Sequence, residues 1–245
     1  MSPVRDWPQA TWKRAPDISS RIPKRPPRYA IIPTNGRECV TDCIDAILPQ
    51  VDHVIAVCTS NQMRGKSSWY DQIIKLYVPG PINISHWWNW GLDRVQLSLG
   101  EDYRDQFTPK WDVAILNDDV IVPEGWFDAV AGKMRDLRAA AACSGGTGGM
   151  PVLHTQPGPV PLDTRMQGFA FIVAGERRLR ANTNLKWYFT DDFMDWESRK
   201  LGGMVMVPGF QVQHLYPNGQ MTPELHAQTA VDAQTFVDLY GMRPW

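Results

Sequence analysis

Cysteine is scarce in this chain of 245 residues: Cys39, Cys43, Cys58 and Cys143 are the only four, and none forms a CxxC pair. That usage excludes a disulfide scaffold and argues against a zinc or dithiol redox site. Long apolar runs are also missing. No stretch approaches the roughly 18 residues needed to cross a bilayer, and no charged-then-apolar leader opens the sequence. The expectation is a soluble, cytoplasmic protein with no membrane partner. Net charge is nearly absent, at −1, so no overall electrostatic pull toward nucleic acid is expected. What is present is 43% hydrophobic and 21% charged residues, which suits one folded domain with its own core rather than a disordered or collagen-like chain.

Residues 1–28 differ from the rest. Seven basic residues from Arg5 to Arg28 are interspersed with Pro8, Pro16, Pro23, Pro26 and Pro27. Proline removes backbone donors and resists helix, so an extended basic arm is expected ahead of a domain at 29–245. Two uses fit such an arm: packing along the surface, or contact with phosphates or an acceptor.

Tyr29 to Ile32 is a short apolar run that predicts a strand ending at Pro33, with a turn at Thr34-Asn35-Gly36. Val40, Cys43, Ile44, Ile47 and Leu48 recur at helical spacing, and Pro49 closes that helix. Val54 to Val57 is a second apolar strand, which makes a parallel strand–helix–strand unit. Further strands are predicted at 73–78, 113–116, 169–173 and 204–207. Helices are predicted at 86–95, about 125–142, 192–201 and 224–240, with a mobile Gly/Pro-rich loop at 144–163. Strands alternating with helices specify an α/β fold, and no internal repeat is present. Gly65-Lys66-Ser67 is not a P-loop, because position 60 is serine where that motif needs glycine.

Ligands of open α/β sheets bind beyond the carboxyl ends of the strands. Two loops there stand out: Pro33-Thr34-Asn35 after the first strand, and Asn117-Asp118-Asp119 after the strand at 113–116. Two adjacent carboxylates beside an amide oxygen form a hard-oxygen set suited to Mg2+ or Mn2+, which also bind substrate phosphates. The plainer alternative is that Asn117 and Asp118 start a turn. A second acidic cluster, Asp191-Asp192 with Asp195 and Glu197, follows Trp187-Tyr188-Phe189. An aspartate there could take a proton from a hydroxyl acceptor, or the cluster could cap a helix, and the two roles are compatible. Trp87, Trp88, Trp90, Trp187 and Trp196 offer faces for a sugar or base, or packing for a core.

The order of these parts carries more than any one of them. "YAIIPTNGRECVTDCIDAILPQVDHVIAVCTSN", "WDVAILNDDVIVPEGW", "GFAFIVAGE" and "WYFTDDFMDWESRKLGGMVMVPGFQVQH" follow one another across residues 29–214. Together they resemble the family 2 glycosyltransferases of GT-A fold. The resemblance implies a single, mostly parallel α/β domain and an inverting, metal-dependent transfer from a nucleotide-sugar to a hydroxyl. It implies that Pro33, Thr34 and Asn35 line the nucleotide site, that Asn89 and Gly91 of "WNWGLD" face the donor, and that Asp119 is the main metal ligand. Asp118 would sit near the ribose or metal, and His214 at the metal or diphosphate. Asp191 or Asp192 would be the general base, with Gly168, Trp187 and Tyr188 on the acceptor side.

Three positions depart from the family pattern. Cys58-Thr59-Ser60-Asn61 stands where an aspartate often meets the nucleotide base, so base contact passes to Thr59, Ser60 or Asn61. Asn117 replaces the first acid of the DXD-type motif. The later acid and arginine are shifted to Asp195 and Arg199. Two other readings stay open: a sugar-phosphate nucleotidyltransferase, and a non-catalytic module that holds nucleic acid or a partner protein. The acceptor is open among a DNA base, a protein side chain and a glycan. The small size and compact motif set are similar to phage-encoded glycosyltransferases, which would place the protein in a host cytoplasm.

Overall fold

The computed structural model describes residues 25–58, 72–102, 110–145, 149–216 and 222–244, with side chains described in all of these except 99–102. Its frame is an eight-stranded sheet in the order β3-β2-β1-β4-β8-β6-β9-β7. The strands are β1 (Arg28–Thr34), β2 (His53–Cys58), β3 (Ile73–Tyr77), β4 (Asp112–Leu116), β6 (Ala141–Ser144), β7 (Val152–His154), β8 (Ala170–Ala174) and β9 (Met204–Val207). β3, β2, β1 and β4 run parallel, in the register Ile31↔Ile55 and Ile31↔Ile115. β8 is inserted antiparallel between β4 and β6, and β9 is parallel to β6. A separate two-stranded ribbon pairs β5 (Val120–Ile121) with β10 (Gln213–His214).

Successive strand side chains point to opposite faces, so each central strand feeds two cores. Ala30, Ile32, Val54 and Ala56 meet α1 (Val40–Ile47) and α3 (Trp126–Asp136) on one face. Ile31, Ile55, Val57 and Val113 meet α2 (Ile84–Asp102) on the other. α2 approaches closely because Gly91 rests on Ile31; a Cβ there would sit 2.6 Å from Ile31 Cγ2. A third cluster, Leu185, Phe189, Trp196 and Phe236, joins α4 (Thr190–Lys200) to α5 (Pro223–Tyr240).

Several expectations need correction. β1 does not stop at Pro33 but continues to Thr34, with Pro33 paired to Val57. Arg28 O and Pro27 O accept from Asp52 on the β2 side and Asp112 on the β4 side, so the odd-numbered residues of β1 face β4. Pro33 has no N–H to give on the β4 side, and pairing with β4 ends at Ile31, one residue short of the end of β4 at Leu116. The helix expected to run to Ala142 ends at Asp136, and Ala141–Ser144 is a strand. Alanine favours helix on its own. Here Arg138 takes φ 54° and turns the chain, and the small side chains let β6 lie between β8 and β9 beneath α3. The Gly/Pro-rich stretch contains β7. Arg28 belongs to β1 and Arg25 pairs with Asp52 at 2.8 Å, so the chain is already docked at 25. The rest of the basic arm and the Gly65-Lys66-Ser67 run lie outside the described residues. Among the described residues, no helix is long and apolar enough to cross a membrane.

Candidate active site

A cavity of about 520 Å3 opens at the carboxyl ends of β1 and β4. Its floor is the Asn117-Asp118-Asp119 corner. Asp118 and Asp119 are only 5% and 3% exposed. Buried carboxylates need partners, and here both find them. Asp118 accepts from Thr34 Oγ1 at 2.7 Å and from Arg37 Nε at 3.2 Å, and a second Arg37 nitrogen closes on its other oxygen. Arg37 Nη1 also donates to Asp119 Oδ2 at 3.2 Å. The guanidinium therefore bridges two adjacent carboxylates.

The small ribbon of β5 and β10 brings His214 to this corner. His214 pairs with Val120, its neighbour Leu215 donates its N–H to Asp119 O at 2.8 Å, and its ring stacks on Phe169 with centroids 4.7 Å apart. His214 Nε2 then lies 3.2 Å from Asp119 Oδ1. That oxygen is buried and, apart from this contact with the imidazole, has no polar partner. Burial pushes the Asp119 carboxyl up, but His214 and Arg37 outweigh it and hold it below the ordinary range. An orphaned oxygen facing an imidazole nitrogen fits a divalent cation held by two protein donors, with water and phosphate oxygens as the others. Among the described residues, no three His, Cys, Asp or Glu side chains form a complete protein cage.

The opposite wall carries Asp191 and Asp192 in the first turn of α4. Asp192 is buried and paired with Arg165 at 3.1 Å. Asp191 lines the cavity against Gly168, where a Cβ would come within 2.6 Å of the aspartate's own Cβ and Cγ. Only glycine leaves room for this carboxylate. Burial pushes the Asp191 carboxyl above its ordinary range, against the pull of Arg165. Asp195 and Arg199, 1% and 2% exposed, make a buried ion pair at 2.6 Å. Arg199 also donates to Gln156 O and Gly158 O, and Asp195 accepts from Met166 N, so the pair holds the segment that carries Leu162, Arg165 and Met166 into the cavity.

Of the residues singled out in the sequence, Pro33, Thr34, Asn35, Asn117, Asp118, Asp119, Gly168, Trp187, Tyr188, Asp191, Asp192 and His214 all line this one cavity. Asn89 and Gly91 do not. The Asn89 amide closes on Ala181 with two bonds of 2.9 Å, and Gly91 serves the contact of α2 with β1. Thr59 and Asn61 lie outside the described residues. Trp87, Trp88 and Trp187 line the cavity, whereas Trp196 is core and Trp90 is 42% exposed. Arg37 and Arg165 also line the cavity and join the functional candidates. Arg37's signal was its place in the turn after β1; Arg165 carried none.

No protein-family model matches this sequence, and no curated protein does. Solved structures do. Residues 1–349 of TarS from S. aureus superpose with a TM-score of 0.53 at 11% identity, over 88% of this chain and 72% of that one. This chain spans 44% of a longer TarS chain. 4-Diphosphocytidyl-2C-methyl-D-erythritol synthase superposes with a TM-score of 0.50 at 10% identity, over 84% of this chain and 99% of that one. The fold is a GT-A-like α/β domain. At such identities the likeness is one of fold.

Proposed function

We propose that this protein is a glycosyltransferase that moves a sugar from a nucleotide-sugar to a hydroxyl acceptor with inversion. The observation that carries the reading is the split of the cavity's acids. Asp118, Asp119, Arg37 and His214 gather at the strand ends, and Asp191, with a raised pKa, stands on the other wall.

In this reading the diphosphate of the donor lies over Arg37, which exchanges carboxylate partners for phosphate oxygens. Thr34 and Asp118 set the floor beneath the nucleoside. Asp119 and His214 would hold a Mg2+ or Mn2+ ion, whose positive charge would offset the charge of the departing diphosphate. Asp191 receives the proton of the acceptor hydroxyl. The acceptor oxygen bonds to the anomeric carbon as the bond from that carbon to the phosphate oxygen breaks, and the nucleoside diphosphate leaves with the electron pair. A carboxyl with a raised pKa suits a base that must hold a proton near neutral pH. Asp192 does not compete for this role, because it is committed to Arg165. Among the structural neighbours TarS is a GT-A-like glycosyltransferase.

A nucleotidyltransferase is the second reading. It is favoured by Arg37, a basic residue in the turn after β1 whose guanidinium lies in the cavity. The synthase neighbour is of that class. The turn itself has a single glycine, Gly36, where such enzymes carry a glycine-rich loop.

A thermal-shift panel of nucleoside diphosphates, triphosphates and nucleotide-sugars, with and without Mn2+, separates these readings. Ligands that bind only the folded state raise Tm by mass action. The transferase reading expects a metal-dependent shift with one diphosphate and its sugar conjugate, and slow release of that sugar to water. A shift only with a triphosphate, and pyrophosphate release with a sugar phosphate, would replace it with the second reading. No shift with any nucleotide would leave the binding module.

A further inference from the structure

The wall bearing Trp187, Tyr188 and Asp191 is held by a residue outside the cavity. Asp232 lies in the middle of α5 and is fully buried. Its Oδ1 accepts from Lys186 N at 3.1 Å and Gln228 Nε2 at 2.8 Å. Its Oδ2 accepts from Trp187 N at 2.8 Å and Tyr188 N at 2.9 Å. Three successive backbone N–H groups thus converge on one carboxylate, a geometry that stabilises negative charge with fixed dipoles. The same corner is gripped from the other side. Ile84 N donates to Lys186 O at 2.7 Å, Ser85 Oγ donates to Leu185 O, and Ser85 Oγ lies 2.9 Å from Thr190 Oγ1.

Between these grips the backbone is strained. Phe189 adopts φ 61° and ψ 4°, a left-handed conformation that a bulky residue rarely holds. Such a residue persists only where its surroundings over-determine it, and strain of this kind gathers at functional sites. Phe189 is buried against Phe236 of α5, with ring centroids 5.9 Å apart. The next two residues are Thr190 and Asp191, the first turn of α4.

We infer that Asp232 is a positioning residue: from α5 it fixes the corner at 185–190, and so sets the direction of Asp191 and of the acceptor wall, while the donor end of the cavity is independent of it. The functional part of this inference rests on the reading of Asp191 as base. Asp232 itself does not line the cavity; its effect passes through the backbone of 186–188, of which Trp187 and Tyr188 do line it. An ordinary helix surface would not need a buried aspartate at this place. Gln228, Asp232 and Phe236 share one face of α5 at i, i+4 spacing; Asp232 and Phe236 meet the corner, and Gln228 bonds to Asp232.

The test uses the full chain. Asp232→Asn keeps the shape but cannot accept from all four donors. It is expected to leave the Tm increment from the donor nucleotide and Mn2+ as in the wild type, and to lower release of sugar from the nucleotide-sugar at least tenfold. The acid limb of the pH profile is expected to move, because Asp191's surroundings have changed. A parallel loss of nucleotide binding and turnover would make Asp232 a general fold residue and overturn the proposal. Hydrogen exchange gives a readout that does not depend on the reaction. In the wild type, amides 186–188 are expected to exchange as slowly as α5. In Asp232→Asn they are expected to exchange at least tenfold faster, while β1 and β4 are unchanged. Fast exchange at 186–188 in the wild type would overturn the proposal even if the variant does not fold. If no nucleotide binds the wild type, the transferase reading fails, and the exchange pattern alone decides whether Asp232 holds the corner.

Discussion

Asp119 Oδ1 faces His214 Nε2 across 3.2 Å without a hydrogen bond of its own. Two residues 95 positions apart are brought together by the β5–β10 ribbon, and this buried carboxylate oxygen has the imidazole as its polar neighbour but no hydrogen bond. Asp119→Asn keeps the shape and removes the charge. It is expected to abolish the Mn2+-dependent part of the nucleotide thermal shift. Removing a metal's charge stabilisation is worth several kcal/mol, so turnover should fall on the order of a thousandfold. An unchanged Mn2+ response in a folded Asp119→Asn protein would remove the metal from this corner.

Arg37 answers both aspartates. Charge-assisted hydrogen bonds contribute about 1.5–3 kcal/mol, so Arg37→Ala is expected to weaken nucleoside diphosphate binding by roughly 10- to 100-fold. Isothermal titration measures this directly. Equal or tighter binding in the variant would mean that Arg37 only neutralises the aspartates and takes no part in holding phosphate.

Asp191 predicts a pH dependence of two kinds. Asp191→Asn is expected to lower transfer by about 10^2- to 10^4-fold, the usual range for general-base loss. The acid limb of the wild-type rate profile is expected to lie above the ordinary carboxyl range, since burial raises this group. A raised folded-state pKa means that the folded protein binds the proton more tightly than the unfolded chain does. The contribution to stability is then present below the unfolded pKa and lost as pH rises through the folded one. Asp191→Asn should therefore melt higher than wild type at pH 7, with the gap closing near pH 3. A lower Tm at pH 7 would contradict the burial argument.

Gly168→Ala tests the same carboxylate by geometry alone. The new methyl would overlap the Asp191 carboxylate oxygen, lie 2.6 Å from its Cβ and Cγ, and must push it aside. Overpacking of this size costs about 1–3 kcal/mol, and a shift of about 1 Å at a reacting group costs on the order of 100-fold in rate. Nucleotide binding is expected to be unchanged. A variant with wild-type turnover would show that Asp191 has no exact place to keep.

Arg199→Met removes one member of a buried ion pair and leaves Asp195 charged in the core. Breaking such a pair typically costs about 3–5 kcal/mol. Urea unfolding should show a loss of this size, and proteolysis should open first at 156–166, where Arg199 holds the carbonyls of Gln156 and Gly158. A loss below about 1 kcal/mol, the value of a surface pair, would mean that Asp195 finds another partner.

Much of this molecule is determined locally. The apolar runs at 29–32, 54–57 and 113–116 are strands because a strand buried on both faces must be apolar along its length. The helix at 40–47 follows from its period, and the acids directly after β4 could be placed at a ligand-binding edge by the rule for open α/β sheets. Pro33, Thr34, Asn35, Asn117, Asp118 and Asp119, at the ends of β1 and β4, share one cavity for that reason. Other features depend on partners distant in the chain. Ala141–Ser144 is a strand because β8 and β9 flank it, although its alanines favour helix. The surroundings of Asp191 and Asp192 are set apart by Gly168 and Arg165, which lie more than 20 residues away. Asn89 looks like a donor contact until Ala181 is seen to occupy its amide. Asp232 is one more polar residue in a C-terminal helix until three backbone N–H groups are found against it. Period and composition report which side chains prefer burial; only the folded chain decides which buried charges meet, because those partners are chosen by sheet order and not by neighbours in sequence.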